Sequence, residues 1–538
     1  MANPYVEKTE AGLVITPVGQ EYLSRIVTDP SGSVYAFTSE ASPLLVAAAM
    51  ARLSRRADDL RQIYLDEFAA SEEKADALLS RVITAFGDDS VQQLMPISLV
   101  VENASNLLTK KLEWGRLASY LEQSTRYIFF DQKVGDRYRY YVPENLRPSI
   151  RRTYVDVMDD IFSLYSAMVH GVTEFVRKKV EEPKEKVARI AWLGATRAQA
   201  CDAVRAVLPV ATTSTVGIVA SAQAIESLIL HLESEPLEEC SRVGLQILKE
   251  ARKVAGVFFE RTDLPERGGA MVAYRMAHRE KISVIAKRLW NEADKINFKP
   301  DESIVGPKVT MVGYEPKDEL ELVSEFLFSE CDMSMSEIYR IVDNWSEERK
   351  QEVLQEFLAG RLNRRHKPGR ALERAHYEWE IIGDYGTFRD LQRHRMVDMW
   401  EWQRLTPSYG YEVTELVQEA GFTDTFQRCF QISSSLFRTM NQHSYEEEAQ
   451  YATLLGNLMR YRFMVNARES FHIHELRTTP QGHPGYRKIV KEMHRQLCGV
   501  HPIIGGAMRF VNTGEDPELT RMAAELATQK KLDLLQKK

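Results

Sequence analysis

Between Arg116 and Tyr127 the chain reads RLASYLEQSTRY, a run that gathers two arginines, a carboxylate, an amide and several hydroxyls. Arg116 and Arg126 can each fork onto phosphate or carboxylate oxygens, while Glu122, Gln123 and Ser124 can hydrogen-bond the edge of a heterocycle. That chemistry suits an anionic, nucleotide-like ligand. The competing reading is a solvated amphipathic helix with Leu117, Tyr120 and Leu121 on its core face. Two further strings carry the same residue types. Arg393, His394 and Arg395 follow YGTFRDLQ, and NARESFHIHELR holds Asn466, Arg468, His472 and Arg477. Arg205 lies in VRAVLP. His472, His474 and His483 do not suggest a metal, because alternate spacing sends the first two to different helix faces. Arg468 and Arg477 could also serve exposed ion pairs of little worth.

The elements that must position these groups recur. Strand-like runs Val34–Phe37 and Val309–Val312 each precede helical patterns: SPLLVAAAMARLSRRADDLRQIYLDEF and EEKADALLSRVITAFG in one place, DELELVSEFLFSECDMSMSEIYRIV and SEERKQEVLQEFLAGRL in the other. Gly87 and Gly360 supply the stops. Alternating runs ISLVVEN and HYEWEII then predict strands, each followed by a helix carrying or leading into the arginine string. After Pro143 and Pro148 the first copy has an extra segment, where the second has a shorter passage, and it predicts one more long helix. The expected division is a first repeat at 1–262, a helical linker at 263–307 around MVAYRMAHREKISVIAKRLWNEADKI, and a second repeat at 308–538.

At 538 residues the chain exceeds one ordinary core, which fits two domains. With 44% hydrophobic and 27% charged residues the composition is that of a water-soluble globular protein. A net charge of -7 offers no global basic field, so nucleic-acid binding is not expected and any phosphate site must be local. Five scattered cysteines without CxxC spacing exclude a disulfide framework or structural zinc and fit a reducing cytoplasm. The opening MANPYVEKTEAG shows no signal pattern, and the longest apolar runs fall short of a bilayer span, so no membrane role is expected.

Taken in order, these strings resemble the signature of flavin-dependent thymidylate synthases: Arg-His-Arg, a spacer, then Gln-Ser-x-Arg-Tyr. The first copy keeps the end of the signature but has Trp114 and Gly115 where Arg-His belongs. The second keeps Arg393-His394-Arg395 but has Gln403 and Leu405 at the other end. Upstream, GDDSVQQLMPISLVVENAS lacks the family's histidines, and the second copy offers Glu373 at a family-like place. Downstream, Arg205 and Pro209 match Ala-Arg-x-x-Leu-Pro in the first copy, where the second has Gln450; the second keeps Asn-Ala-Arg, where the first has Gln223. The losses are complementary.

The resemblance implies an α+β fold of two tandem units, each a small sheet wrapped by long helices, pairing again into a dimer of tandem chains. It implies reductive methylation of deoxyuridine monophosphate (dUMP) to thymidylate, with methylenetetrahydrofolate and NADPH as co-substrates, FAD as cofactor and no cysteine nucleophile. By position, Glu122, Gln123, Ser124, Arg126 and Arg205 would bind the nucleotide. Arg116, Arg393, His394, Arg395, Asn466, Arg468 and His472 would line the flavin, and Arg477 would polarise the uracil. A degenerate member that binds flavin or nucleotide without making thymidylate, or that methylates another pyrimidine, is the alternative.

Overall fold

The computed structural model describes residues 3–10, 12–53, 55–69, 72–85, 89–295, 306–515 and 518–536. Gly87 and the linker end at 296–305 lie outside the described residues. The chain divides into two compact units, but the division does not follow the sequence repeats. The first comprises Met1–Glu102, Lys111–Glu122 and Thr215–Phe298; the second comprises Asn103–Lys110, Gln123–Ser214 and Lys299–Lys538. A long piece of the first repeat is therefore built into the same body as the second repeat.

The first unit opens on an antiparallel hairpin, β1 (Val6–Thr9) and β2 (Gly12–Ile15). Its main sheet has three strands, β3 (Pro96–Ser105), β4 (Ala118–Glu122) and β5 (Thr213–Ser221), in the order β3-β5-β4. Val216, Ile218 and Ala220 of β5 are buried. The helices Ala222–Glu233 and Glu238–Ala255 follow, burying Ile225, Ile229 and Leu232 on one and Val243, Ile247 and Ala251 on the other, at helical spacing.

The second unit is built on β6 (Lys308–Glu315), β7 (His376–Asp384), β8 (Met399–Trp402) and β9 (Leu458–Asn466), in the order β6-β7-β9-β8 with every pair antiparallel. Period-two patterning decides its faces. Tyr377, Trp379 and Ile381 on β7 and Tyr461, Phe463 and Val465 on β9 are buried. Between them, Arg462 faces outward to Glu378 at 3.4 Å and Glu401 at 2.7 Å. The predicted extra helix is Pro148–Lys179, with Pro148 in its first turn and Tyr154, Met158, Ile161, Tyr165, Met168 and Val172 buried along one stripe. The last three strands, β7-β9-β8, repeat the order β3-β5-β4. The sequence duplication thus reappears as matching sheets.

Three local expectations give way. Val34–Phe37 is not a strand and offers only an isolated bridge from Phe37 to Val27. DELELVSEFLFSECDMSMSEIYRIV is helical in its last part, Met335–Asp343, preceded by short 3₁₀ turns. The helical reading of RLASYLEQSTRY fails as well: its centre is β4, paired residue by residue with Val216–Ala220, and Leu117 and Leu121 are 75% and 81% exposed. Pairing with a neighbouring strand overrides a weak local helix preference. Among the described residues no helix is long and apolar enough to cross a membrane.

Candidate functional site

The second unit brings charged residues of both repeats together. Arg126 sits in the turn after β4, where its backbone N–H donates to Ser124 Oγ at 3.3 Å. Asp202 lies near the end of the helix Lys186–Val204, and Arg205 opens the 3₁₀ turn that follows. Arg126 donates from Nε and Nη2 to the two carboxylate oxygens of Asp202, each at 2.7 Å. Burial works against both charges, yet their mutual pairing holds the carboxyl below and the guanidinium above its ordinary range. Arg521 reaches Asp202 at 3.3 Å from the far end of the chain.

Arg205, 3% exposed, donates from Nη2 to Asp390 at 3.1 Å. Asp390 comes from the second repeat, on the short helix Tyr385–Leu391, whose N-cap Asp384 accepts from Thr387 N at 2.8 Å. A Cβ at Gly386 would crowd Asp384 Oδ1 at 3.1 Å and meet Arg205 Nη2 at an ordinary contact distance of 3.5 Å. Burial would raise the Asp390 carboxyl, but Arg205, Arg126, Arg393 and Arg477 together hold it far below the carboxylate range. A narrow recess of about 10 Å³, room for about one water, has Gln123, Ser124, Arg126, Arg205, Arg389, Asp390 and Arg393 among its lining residues.

Beside it runs a second set. The helix Ala467–Arg477 is capped by Asn466, whose side chain accepts from Glu469 N at 2.9 Å, and this cap orients one turn of functional groups. Glu469 Oε1 lies 3.0 Å from Nδ1 of His394 and 3.0 Å from Nδ1 of His472. Arg477 Nε donates to Nε2 of His394 at 2.8 Å. That donation assigns the His394 proton to Nδ1, aimed at Glu469. Burial pushes His394 down to about 4, while hydrogen bonds from His394 and His472 outweigh burial and bring Glu469 down to about 2. The pair is a neutral imidazole on a charged carboxylate. His394, Glu469 and His472 each bring one ligand atom within 4.8 Å of the others, close enough to share an ion. The Tyr486 ring lies under two guanidinium groups, Arg477 at 5.3 Å and Arg126 at 5.7 Å.

The other expected positions lie as follows. Arg116 and Glu122 fall in the first unit, Glu122 buried at the end of β4 and Arg116 exposed before it. Arg468 donates to the Pro368 carbonyl at 3.0 Å and pairs with Glu373 at 3.3 Å, which ties it into its own unit. Arg393 is exposed and Arg395 half-buried. His474 is buried with neither ring nitrogen hydrogen-bonded, and His483 caps the helix Pro484–Val500. Sequence reasoning missed Asp202, Asp390, Glu469 and Tyr486. The available signal was a carboxylate three residues before Arg205 and before Arg393, and one directly after Arg468.

Two of the positions where the copies depart from the signature have taken on contacts of their own, Trp114 while still 44% exposed. Trp114 stacks on His231, with centroids 4.4 Å apart and planes within 8°. Leu405 is buried, and its backbone N–H donates to Gln450 Oε1 at 3.2 Å.

Fold and site define an α+β protein with two sheet-and-helix modules and a buried arginine–carboxylate cluster assembled from both repeats. The chain belongs to the thymidylate synthase complementing protein family, whose model matches residues 36–256 and 321–503, one segment in each repeat. It is 30% identical over 526 residues to a UPF0159 protein of Chlamydia muridarum, covering 94% of this chain and 97% of that one. A UPF0159 protein of Thermoplasma acidophilum is 27% identical over 506 residues, covering 89% and 97%. Among solved structures, a UMP/dUMP methylase from Streptomyces cacaoi bound with 5-Br dUMP aligns with 15% identity and a TM-score of 0.30, covering 38% of this chain and 94% of that one.

Proposed function

We propose that this chain is a flavin-dependent methylase of dUMP that produces thymidylate at one composite site per chain. The observation that carries the reading is the convergence of Arg126 and Arg205 from the first repeat with Arg393 and Asp390 from the second on one recess. Guanidinium forks at that density suit a phosphate, and Gln123 and Ser124 on the same wall offer donors and acceptors to a sugar or base. Family membership supplies the reaction class.

FAD fits the neighbouring surface in part. Arg393 and Arg395 flank His394, whose ring lies 5.0 Å from His472, and cationic groups there would suit a pyrophosphate, whereas the Asn466 side chain and Arg468 Nε are engaged within the fold. When bound, the flavin would carry hydride from NADPH to the methylene group donated by methylenetetrahydrofolate. The chain's own task is to hold the anion, orient the base through Arg477, and keep Arg477 directed through His394 and Glu469.

A second reading is favoured by the ion pairs Arg126–Asp202, which is bidentate, and Arg205–Asp390, which takes up Nη2. It makes the chain a binding or structural member of the family. The decisive experiment supplies the full chain to a thymidine-requiring host, with the purified protein assayed on dUMP, FAD, NADPH and methylenetetrahydrofolate. Growth without thymidine and formation of thymidylate are expected. No growth, together with no flavin uptake by the purified chain, would leave the second reading standing.

A further inference from the structure

Asp390 is a buried carboxylate in the electrostatic field of Arg205, Arg126, Arg393 and Arg477, and it lines the same recess as Arg126, Arg205 and Arg393. Its direct bond is to Arg205, at 3.1 Å. Guanidinium groups cannot shed their charge, so a cluster of this kind within a partly buried space repels itself unless an anion sits among them. Asp202 neutralises Arg126 from one side and is shared with Arg521. Asp390 and Asp384 are both buried in the field of Arg205, and of the two it is Asp390 that bonds the Arg205 guanidinium.

We propose that Asp390 is a resident counter-anion, standing where a ligand's phosphate would otherwise bind, and that ligand entry moves Arg205 from the Asp390 carboxylate to the phosphate. This rests on the nucleotide reading above and adds a selection rule to it. A carboxylate brings one charge and two oxygens. A phosphate monoester brings close to two charges and three terminal oxygens, and so out-competes the carboxylate for several forks at once. A phosphodiester, with one charge, gains nothing over Asp390, and an uncharged nucleoside cannot displace it. The site therefore admits terminal phosphate monoesters and excludes internal phosphates of a polynucleotide.

The test is Asp390→Asn, which keeps the side-chain shape and removes the charge. The full chain and the variant are titrated by calorimetry with dUMP, inorganic phosphate and deoxyuridine. The variant is expected to bind dUMP and inorganic phosphate about tenfold more tightly or better, because a like charge has left the site, with deoxyuridine unaffected. If Asp390→Asn does not fold in plain buffer, millimolar inorganic phosphate is expected to restore a cooperative melt. Unchanged or weaker phosphate binding in the folded variant, or a melt that phosphate does not move, overturns the counter-anion. If dUMP binds the parent chain and loses affinity in the variant, Asp390 is a direct ligand contact and only this inference fails. If phosphate tightens while dUMP binds neither protein, the counter-anion stands and the nucleotide reading fails.

Discussion

Arg126 and Arg205 have a second consequence besides anion binding, because each is the partner of a buried carboxylate. Sequence alone suggests that truncating either arginine would weaken a ligand and spare the fold. The geometry says otherwise. Arg126→Ala strands Asp202 with Arg521 as its remaining cation, and breaking a buried pair from one side costs roughly 3–5 kcal/mol. Urea unfolding is expected to show a loss of that size, with part of it recovered in the Arg126→Ala, Asp202→Ala double variant. A loss under about 1 kcal/mol would reclassify the pair as a surface contact. The histidines give a pH dependence. Burial holds His394 at about 4 and His474 and His483 at about 3, against 6.5 when unfolded. Below pH 6.5 the unfolded chain binds protons that the native one refuses, so stability falls as pH drops from 6.5 towards 4 and 3. Glu469, lowered from 4.5 to about 2, adds its own loss as pH falls below 4.5. Urea midpoints that stay flat between pH 7 and 5 would contradict these assignments.

At the scale of elements, the helix Ala467–Arg477 and its cap decide whether Glu469 and Arg477 are in place. Asn466→Ala removes the acceptor for Glu469 N and is expected to cost about 1 kcal/mol, while Asn466→Asp keeps the cap. Thermal melts read the cap and FAD titration reads the ligand. If the aspartate variant melts normally yet takes up no FAD, the amide touches the flavin; if it takes up FAD normally, Asn466 is a cap alone. What the sequence made legible follows the same physics. HYEWEII alternates cleanly because one sheet face is buried and the other charged, and Pro148–Lys179 keeps a buried stripe over its whole length, so both read directly as strand and helix. RLASYLEQSTRY did not, since its strand is imposed by β5 and leaves Leu117 and Leu121 outside. The arginines of the site were legible by type and order. Their carboxylate partners were not, because Asp202 meets Arg126 across 76 residues of the first repeat and Asp390 meets Arg205 from the other repeat, pairings that only the folded chain makes.

For the whole molecule, compact units and sequence repeats are cut differently. Residues 123–214 belong with residues 299–538, so a chain divided into 1–262 and 308–538 separates Arg126, Arg205 and Asp202 from Asp390, Arg393 and Arg477. Neither piece is expected to bind nucleotide by itself. Calorimetry on the intact chain should give one dUMP per chain. Two equivalent sites per chain, or full activity from one piece, would end the composite-site reading.

The packing at Trp114 and Leu405 also sets a direction for descent. Restoring an arginine at 405 would drive a charge into a place now filled by leucine and a satisfied Gln450 amide, a cost of several kcal/mol before any benefit. Arginine at 114 would give up the stacking on His231 while the rest of that copy still lacks its partners. Each reversal is harmful unless several others accompany it. If the two copies divide the work as proposed, the arrangement acts as a ratchet: a chain that split or shed one copy would lose the site, and each half would drift only in ways that suit its twin.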